Sequence, residues 1–512
     1  MTLRLSRRTA LQGALASTSL LAMPSFVRAA GRPALTHGVQ TGDVAHDGAI
    51  LWARADREAR MAVEWATTEG FADPRRVQPL DLGEASDMSG KMALSGLPSD
   101  QEIFYRVTMA DLSDLNAVSE PVTGRFRTAP ATRRDIRFVW SGDTAGQGWG
   151  IDRDRGGMRT YATMQAHRPD FMIHSGDTIY ADGPLQPEVE LADGTLWKNV
   201  MVEEKSKVAE TLQEFRGNYL YNLLDENVQA FNAEVPILAQ WDDHEVTNNW
   251  YPTESLVTDD RYIVKSVDLL AARAARAFHE MMPTRQSAEE PNRIYRKVAY
   301  GPHLDIFFLD LRTYRGPNTD NRQQEGAPFL GAEQMAWLKR ELATSEATWK
   351  VIASDMPIGM MVRDGEAAME NGANGDGPPL GREQDIAAIL SFIKHGAIRN
   401  TVWLTADVHY TAAHHYSPER ATFQDFEPFW EFVSGPLHAG TFGPSDYDPT
   451  FGPEVRFAKH PTEEQGGNLP PSMGLQFFGL VDIAGDTGVM KVRLMDRDDV
   501  ELWSTELVPE RA

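Results

Sequence analysis

Five short apolar segments of the chain each end in acidic or histidine residues. They are residues 138–140 before Asp143, 171–175 before Asp177, 238–241 before Asp243 and His244, 351–353 before Asp355, and 402–406 before Asp407 and His409. Apolar runs of this length are typical of buried strands, and the carboxyl ends of parallel strands lie along one edge of a sheet. Carboxylates gathered at such an edge repel one another unless cations neutralise them. The pattern therefore predicts a metal site at the edge of an α/β sheet.

The segment at residues 171–182 carries the most detailed signal. It reads FMIHSGDTIYAD, so that a Ser-Gly-Asp turn follows the apolar run and Tyr180 follows Asp177 by three residues. A strand that ends in a glycine turn and presents a carboxylate and then a phenol can hold a metal ion. Taken alone, the segment also fits an ordinary strand and Gly-Asp turn in which Tyr180 packs or caps. The other four segments favour the metal interpretation.

Composition narrows the class of protein. The chain has 512 residues, which is enough for two or three domains. It has 50 Lys and Arg against 74 Asp and Glu, a net charge of -24, so we expect no nucleic-acid partner. There is no cysteine, which excludes disulfides and thiolate ligands and leaves oxygen and nitrogen donors for hard or borderline metals.

The first 30 residues have the pattern of a targeting segment. Ser6, Arg7 and Arg8 precede a mildly apolar run at residues 14–23, and residues 27–29 read VRA, as at a cleavage site. This predicts a twin-arginine signal peptide over residues 1–30, recognised by the twin-arginine export machinery, and a periplasmic or secreted protein. An ordinary Sec signal is the alternative. The apolar run is too short for a stable membrane anchor.

Two domains follow from the order of the predicted elements. Residues 36–129 contain short strands at regular intervals, which predicts a small β-sandwich over residues 31–130. Strands and helices then alternate, which predicts a layered α/β domain over residues 131–512. Two glycine-rich stretches, residues 364–379 and 434–467, are expected to be long loops that either wall a site or form surface insertions.

The ordered motifs resemble those of the alkaline phosphatase D family of calcineurin-like metallophosphoesterases. They are HGVQTGD at 37–43, ILWAR at 50–54, SGDTIY at 175–180, WDDHE at 241–245, LDLR at 309–312 and ADVHY at 406–410. The resemblance covers nearly the whole chain after the signal. It implies a small N-terminal β-sandwich followed by an αββα-type metallophosphoesterase domain.

The resemblance also implies a two-metal site. Its implied ligands are Asp143, Asp177, Tyr180, Asp243, Asp355, Asp407 and His409. Asp177 would bridge the ions, and Tyr180 would bind the first as a phenolate. The family's known metals imply Fe3+ in the first site and Ca2+ in the second, with Zn2+ and Mn2+ as alternatives. Some members of the family bind iron through a cysteine after the first strand. This chain has no cysteine, so it departs from the family pattern in this respect.

The implied activity is hydrolysis of small-molecule phosphate esters by a metal-activated hydroxide. The main expectation is a phosphatase for monoesters, with diesters as a second class, in which His244 binds a phosphoryl oxygen or protonates the leaving alcohol. For His244 the alternative is a structural hydrogen bond to Asp242 or Glu245. For the protein the alternatives are a strict phosphodiesterase of the phospholipase D type and a non-catalytic, calcium-binding exported protein.

Overall fold

The computed structural model describes residues 31–510, and the predicted signal peptide lies outside them. Eight strands precede residue 130: β1 (Leu35–Gly42), β2 (Gly48–Ala55), β3 (Ala59–Ala66), β4 (Arg75–Arg76), β5 (Leu80–Leu82), β6 (Ser89–Ser95), β7 (Glu102–Asp111) and β8 (Val122–Arg127). Strands β1, β2 and β6 pair in one sheet and the other five in a second. Every second side chain of β3 and β7 is buried in a core shared with the first sheet, as the predicted sandwich requires.

The remaining described residues form both strands and α-helices. The strands are β9 (Ile136–Ser141), β10 (Phe171–Ser175), β11 (Glu188–Glu190), β12 (Leu196–Lys198), β13 (Ile237–Gln240), β14 (Arg296–Ala299), β15 (Leu304–Phe308), β16 (Trp349–Ala353), β17 (Arg363–Asp364), β18 (Ala368–Met369), β19 (Thr401–Thr405), β20 (Thr411–Tyr416), β21 (Phe429–Val433), β22 (Pro453–Lys459), β23 (Phe477–Ile483), β24 (Met490–Asp496) and β25 (Glu501–Leu507). The helices are α1 (Arg159–Ala166), α2 (Leu212–Asn222), α3 (Glu226–Glu234), α4 (Val267–Met281), α5 (Ala332–Thr344) and α6 (Glu383–His395). Among the described residues, no helix combines the length and apolar character needed to cross a membrane.

Two large sheets pack face to face between two layers of helices. One has the strand order β25-β24-β23-β9-β10-β13-β1-β2-β6, and the other β14-β15-β16-β19-β21-β20-β22. In β9, Phe138 and Trp140 enter the core between the sheets, whereas Val139 contacts the cluster formed with α1 to α4. In β16, Val351 faces the same inner core and Ile352 packs with α5 and α6. This burial of both faces explains the continuous apolar runs and gives the expected αββα arrangement.

The N-terminal sandwich shares a sheet with the larger domain. Strand β1 pairs in parallel with β13, with Gly42 opposite Ile237. The next residue, Asp43, accepts a hydrogen bond from Arg296 of β14, with 2.7 Å between Oδ1 of Asp43 and Nη2 of Arg296. Both side chains are largely buried, and loss of one partner of a buried ion pair is strongly destabilising. The predicted domain boundary at residue 130 therefore does not interrupt the sheet.

One of the two expected loops contains a strand that the sequence analysis missed. Strand β22 lies within residues 434–467 and pairs with β20. Its side chains are mostly half-buried or exposed, so its sequence, PEVRFAK, shows no regular apolar pattern. Residues 364–379 contain the short strand β18 and the last residue of β17, with which β18 pairs.

A pair of buried carboxyl groups joins the two glycine-rich segments. Asp448 of the second segment accepts the backbone N–H of Asn374 in the first, with an N–O distance of 2.8 Å. Glu383, at the start of α6, accepts from the Asn374 side chain and, at 3.2 Å, from the Thr450 hydroxyl. Burial and then the charge of Asp448 raise the pKa of Glu383 from 4.5 to about 9. Glu383 is therefore protonated at neutral pH.

This protonation makes the stability of the protein depend on pH. Because the folded state raises the pKa of Glu383, its contribution is fully present below about pH 4.5 and is lost progressively until about pH 9. Glu383→Gln mimics the neutral acid and should remove this loss, so its thermal unfolding midpoint should rise relative to wild type as the pH increases. Glu463→Gln, at an exposed position, should follow the wild-type curve. Parallel curves for wild type and Glu383→Gln would contradict the assignment.

Candidate active site

The five predicted strand ends meet at one place. Strands β9, β10 and β13 are parallel neighbours in one sheet, and β16 and β19 are parallel neighbours in the other. Asp143, Asp177 and Asp243 follow the first three strands, whereas Asp355 and Asp407 follow the other two. Because the sheets pack face to face, the carboxyl ends of both contribute to one cluster of side chains.

Three groups of side chains in this cluster have donor atoms that all lie within 4.8 Å of one another. They are Asp143, Asp177 and His409; Asp177, Asp243 and His244; and Asp242, Asp243 and Asp407. The structure thus brings together five of the seven predicted ligands in these groups, with Asp242 and the predicted catalytic residue His244 beside them. Asp177 belongs to two groups, in the position expected of a shared ligand.

Tyr180 lies against the first group. Its hydroxyl oxygen is 2.9 Å from Nε2 of His409 and 3.4 Å from Oδ1 of Asp143. The other ring nitrogen of His409 donates to the carbonyl of Gly440, so Nε2 carries a lone pair, which faces the Tyr180 hydroxyl. Oδ2 of Asp143 is buried and has no hydrogen-bond partner. The carboxylate of Asp143, the phenol of Tyr180 and the imidazole of His409 therefore lie close together and carry lone pairs that could bind a metal ion.

Unusual backbone conformations direct these side chains into the cluster. Asp143, Asp177, Asp407 and His409 have positive φ angles of 68°, 51°, 65° and 59°. Such angles are uncommon for residues other than glycine and are concentrated at functional sites. Each marks a sharp turn directly after a strand, which points the side chain along the sheet edge and not to one of its faces.

Glu245 holds two of these turns together. Its carboxylate accepts the backbone N–H groups of Asp177 at 3.1 Å, Thr178 at 2.7 Å and Asp242 at 2.8 Å. It is fully buried. Glu245 therefore fixes the end of β10 against the end of β13 through bonds that need no metal.

His244 is oriented by a residue that the sequence analysis missed. Its Nδ1 lies 2.7 Å from Oδ1 of Asp182, and no bond to Asp242 or Glu245 forms. The other ring nitrogen, Nε2, therefore faces the cluster. It lies 4.0 Å from Oδ2 of Asp243. Burial lowers the pKa of His244, but the carboxylates of Asp182 and Asp243 outweigh it and raise the pKa to about 10. Asp182 stands two residues after Tyr180, in the segment already singled out.

Arg312 provides the fixed positive charge of the cluster. Its side chain is fully buried, and Nε donates to Oδ1 of Asp242 at 2.6 Å. Glu370 also contacts it. Asp243, Asp355 and Asp407 lie 3.7, 3.7 and 3.9 Å away. The LDLR motif contained Arg312, but only the fold shows what it contacts.

Asp355 is placed differently from the other predicted ligands. It is fully buried, its Oδ2 lies against Nε of Arg312, and it belongs to none of the three donor groups. Its role as a metal ligand stays a prediction.

One guanidinium cannot neutralise all the carboxylates around it. Burial, with the neighbouring acidic groups, raises the pKa of Asp143, Asp177, Asp242 and Asp407 well above 3.8. Oδ2 of Asp407, like that of Asp143, is buried without a partner. Unpaired oxygens in a set of oxygen and nitrogen donors fit hard or borderline metal ions, which would supply the missing positive charge.

A cavity of about 270 Å³ opens onto this cluster. Asp177, Asp243 and His409 lie in its floor. Glu370, from the first glycine-rich segment, and residues 442–445, from the second, form its walls. Of the two alternatives for these segments, the structure therefore supports the one in which they wall a site.

The fold and this site are those of a metallophosphoesterase, and comparison with known proteins places the chain in a family. The PhoD-like phosphatase family matches residues 138–494, and the N-terminal domain of PhoD-like phosphatases matches residues 21–130. The chain belongs to the PhoD-like phosphatase family and is a phosphatase with a candidate metal-binding cluster.

Individual relatives agree with this assignment. Alkaline phosphatase D of Bacillus subtilis (strain 168) is 28% identical over 436 residues, which cover 80% of this chain and 70% of the relative. The solved structure of PhoD has a TM-score of 0.68 at 22% identity, with 94% of this chain and 90% of that chain covered. A purple acid phosphatase from yellow lupin (Lupinus luteus) seeds has a TM-score of 0.58 at 13% identity, with coverages of 93% and 74%. The two structures support the fold.

The turn at Gly176 offers a test of how strictly the site is positioned. Gly176 has a φ of +105°, and a Cβ there would lie 2.5 Å from Cβ of Asp242. Gly176→Ala should displace Asp177 or Asp242 and lower kcat/KM by about 100-fold. Gly148→Ala is the matched control, because Gly148 has a φ of +94° but no atom within 4 Å of an added Cβ. Equal activities of the two variants would show that the close contact does not position the ligands.

Proposed function

We propose that this phosphatase is exported and uses two metal ions to hydrolyse phosphomonoesters, with phosphodiesters as a second class of substrate. The observation that carries the proposal is the set of donor groups that share Asp177 and Asp243 beside one cavity. A strict phosphodiesterase of the phospholipase D type is the alternative. Turnover of 4-nitrophenyl phosphate against bis(4-nitrophenyl) phosphate by the metal-replete protein separates the two.

The donor types support different ions in the two positions. Asp143, Tyr180 and His409 would hold the first ion with Asp177, and a phenolate with an imidazole suits Fe3+. Asp243 and Asp407 would hold the second with Asp177, and carboxylates alone suit Ca2+. Zn2+ and Mn2+ are the alternatives, and Asp355 is a further candidate ligand. Elemental analysis of protein purified through its native export route tests the assignment.

The chain's own residues divide the remaining work between them. Bound ions would supply an activated nucleophile and neutralise charge on the phosphoryl oxygens. Asp182 holds Nδ1 of His244, which leaves Nε2 to bind a phosphoryl oxygen or donate a proton to the leaving alcohol. Phe442 and Pro444 add apolar surface to one side of the cavity wall. The family resemblance and the cavity support this division of roles.

Export is proposed from the sequence of residues 1–30. Ser6, Arg7 and Arg8 and the small residues at 29–30 support the twin-arginine route to a periplasmic or secreted location. Fractionation of cells that express the full-length chain, with and without a functional twin-arginine system, tests it.

Asp177 should be the residue on which both ions depend. Because it belongs to two donor groups, Asp177→Asn should abolish turnover and reduce the content of both metals. Asp193→Asn, at an exposed position on the β11–β12 hairpin, is the control and should change neither. Metal analysis and turnover of 4-nitrophenyl phosphate are measured on the same preparations. A variant that kept both ions and full turnover would refute the assignment of Asp177 as the shared ligand.

The role of His244 can be tested by comparing substrates whose leaving groups differ in their need for a proton. If its Nε2 protonates the leaving alcohol, His244→Gln should lower kcat by about 100-fold or more on an alkyl phosphate. The loss on 4-nitrophenyl phosphate should be much smaller, because nitrophenolate leaves without a proton. Asp182→Asn should give the same pattern with a smaller loss, since it orients the ring. Equal losses on both esters would instead assign His244 to binding the phosphoryl oxygens.

A further inference from the structure

Three arginines line a second cavity, which the proposed reaction does not use. Arg155, Arg159 and Arg497 contribute to the walls of a space of about 300 Å³, and none of its lining residues is acidic. The chain as a whole is acidic, with 74 acidic against 50 basic residues. This cavity wall is instead lined by basic residues. Trp197 and Pro471 add apolar surface beside the arginines.

The neighbouring acidic groups leave part of this positive charge unpaired. Nε of Arg155 is 3.4 Å from Asp152, which is itself buried. Nη2 of Arg159 is 3.1 Å from Asp498, in a pair that is half exposed. Arg497 donates to the carbonyls of Pro471 and Ser472. Two carboxylates therefore face three guanidinium groups.

Arg497 also retains an unused donor. Its side chain is only 13% exposed, and its Nε is buried without a hydrogen-bond partner. The nearest carboxylate oxygen to it, on Asp498, is 3.8 Å away, which is too far for a hydrogen bond. A buried guanidinium N–H without a partner is costly, and the charge that Arg497 carries would attract an oxyanion in the cavity.

The wall of this cavity is bonded to the turn that carries Asp143. The ring of His438 lines the cavity, and its Nε2 donates to the carbonyl of Gly150 at 2.9 Å. The backbone N–H of His438 donates to the carbonyl of Asp143 at 3.0 Å, and its carbonyl accepts from Ala145 at 2.7 Å. His438 is therefore joined by one backbone hydrogen bond to Asp143, a proposed metal ligand, and by another to Ala145 in the same turn.

We propose that this cavity binds a phosphate-type oxyanion, with inorganic phosphate as the occupant, and that occupancy lowers kcat by shifting the turn at Asp143. Guanidinium groups match the oxygens of phosphate in geometry and charge. The phosphate group of a small ester would present the same chemistry, and the experiment separates the two sources. The effect on kcat rests on the proposed function, whereas the binding does not.

Binding is measured first, by equilibrium dialysis of the metal-loaded protein with radiolabelled inorganic phosphate. Wild type should bind two phosphates per chain, one at the metals and one at the arginines. Arg159→Gln should weaken the second by about tenfold or more, through loss of a charge-assisted hydrogen bond. Arg159 is exposed, so this variant should fold even if Arg497→Gln does not. Arg153→Gln, an exposed neighbour outside the cavity, is the control and should behave as wild type.

Turnover of 4-nitrophenyl phosphate with added phosphate is measured second. In wild type, phosphate should raise KM by competing at the metals and also lower kcat, and Arg159→Gln should lose only the effect on kcat. A non-hydrolysable alkyl phosphonate that lowers kcat at lower concentration than phosphate would identify an ester as the occupant. One bound phosphate in wild type whose affinity Arg159→Gln leaves unchanged, or a kcat effect that persists in Arg159→Gln, would overturn the proposal. Two bound phosphates without turnover would instead refute the proposed function and leave the site intact.

Discussion

Repulsion between buried carboxylates is the constraint around which this structure is arranged. The ends of two facing sheets bring together Asp143, Asp177, Asp242, Asp243, Asp355, Glu370 and Asp407, and all but the partly exposed Asp407 are buried. At these separations like charges in a protein interior are tolerated only beside compensating cations. Arg312 supplies one that is permanent, and bound metal ions would supply the positive charge that is still needed. The packing of the sheets and the chemistry of the site are therefore consequences of the same charge balance.

The positions of the donors are set by bonds within the chain. Glu245 ties the backbone after β10 to that after β13, and the buried ammonium of Lys205 donates to the carbonyl of Tyr180 at 2.9 Å. Asp182 fixes the ring of His244, and the carbonyl of Gly440 fixes that of His409. Such outer partners orient ligands and limit how far they can relax. Hydrogen bonds within the chain thus set the orientations of the candidate ligands.

Local patterns in the sequence were sufficient for the sheets and for most of the cluster. Apolar runs identified the central strands, and the polar residues after them led to Asp143, Asp177, Asp407 and His409, which the structure brings together. The partners of Arg312 could not be predicted, because Glu370 and Asp242 are far apart in sequence and meet only through packing of both sheets. The identity of the metals depends on coordination, which no spacing of residues encodes, and the role of Asp355 stays a prediction for the same reason.

The pairing of β1 with β13 has a consequence for the order in which the protein can fold. Strand β1 ends at Gly42, but its partner begins only at Ile237, so the N-terminal sheet keeps an open edge until nearly half of the chain has been made. Pairs so distant in sequence form slowly, and open edges are sites of aggregation. Conversely, a fragment that began at residue 131 would lack β1. It would therefore expose the edge of β13 that faces β1 in the full sheet. The N-terminal region thus covers the β13 edge of the catalytic sheet, and both parts of the chain contribute strands to that one sheet.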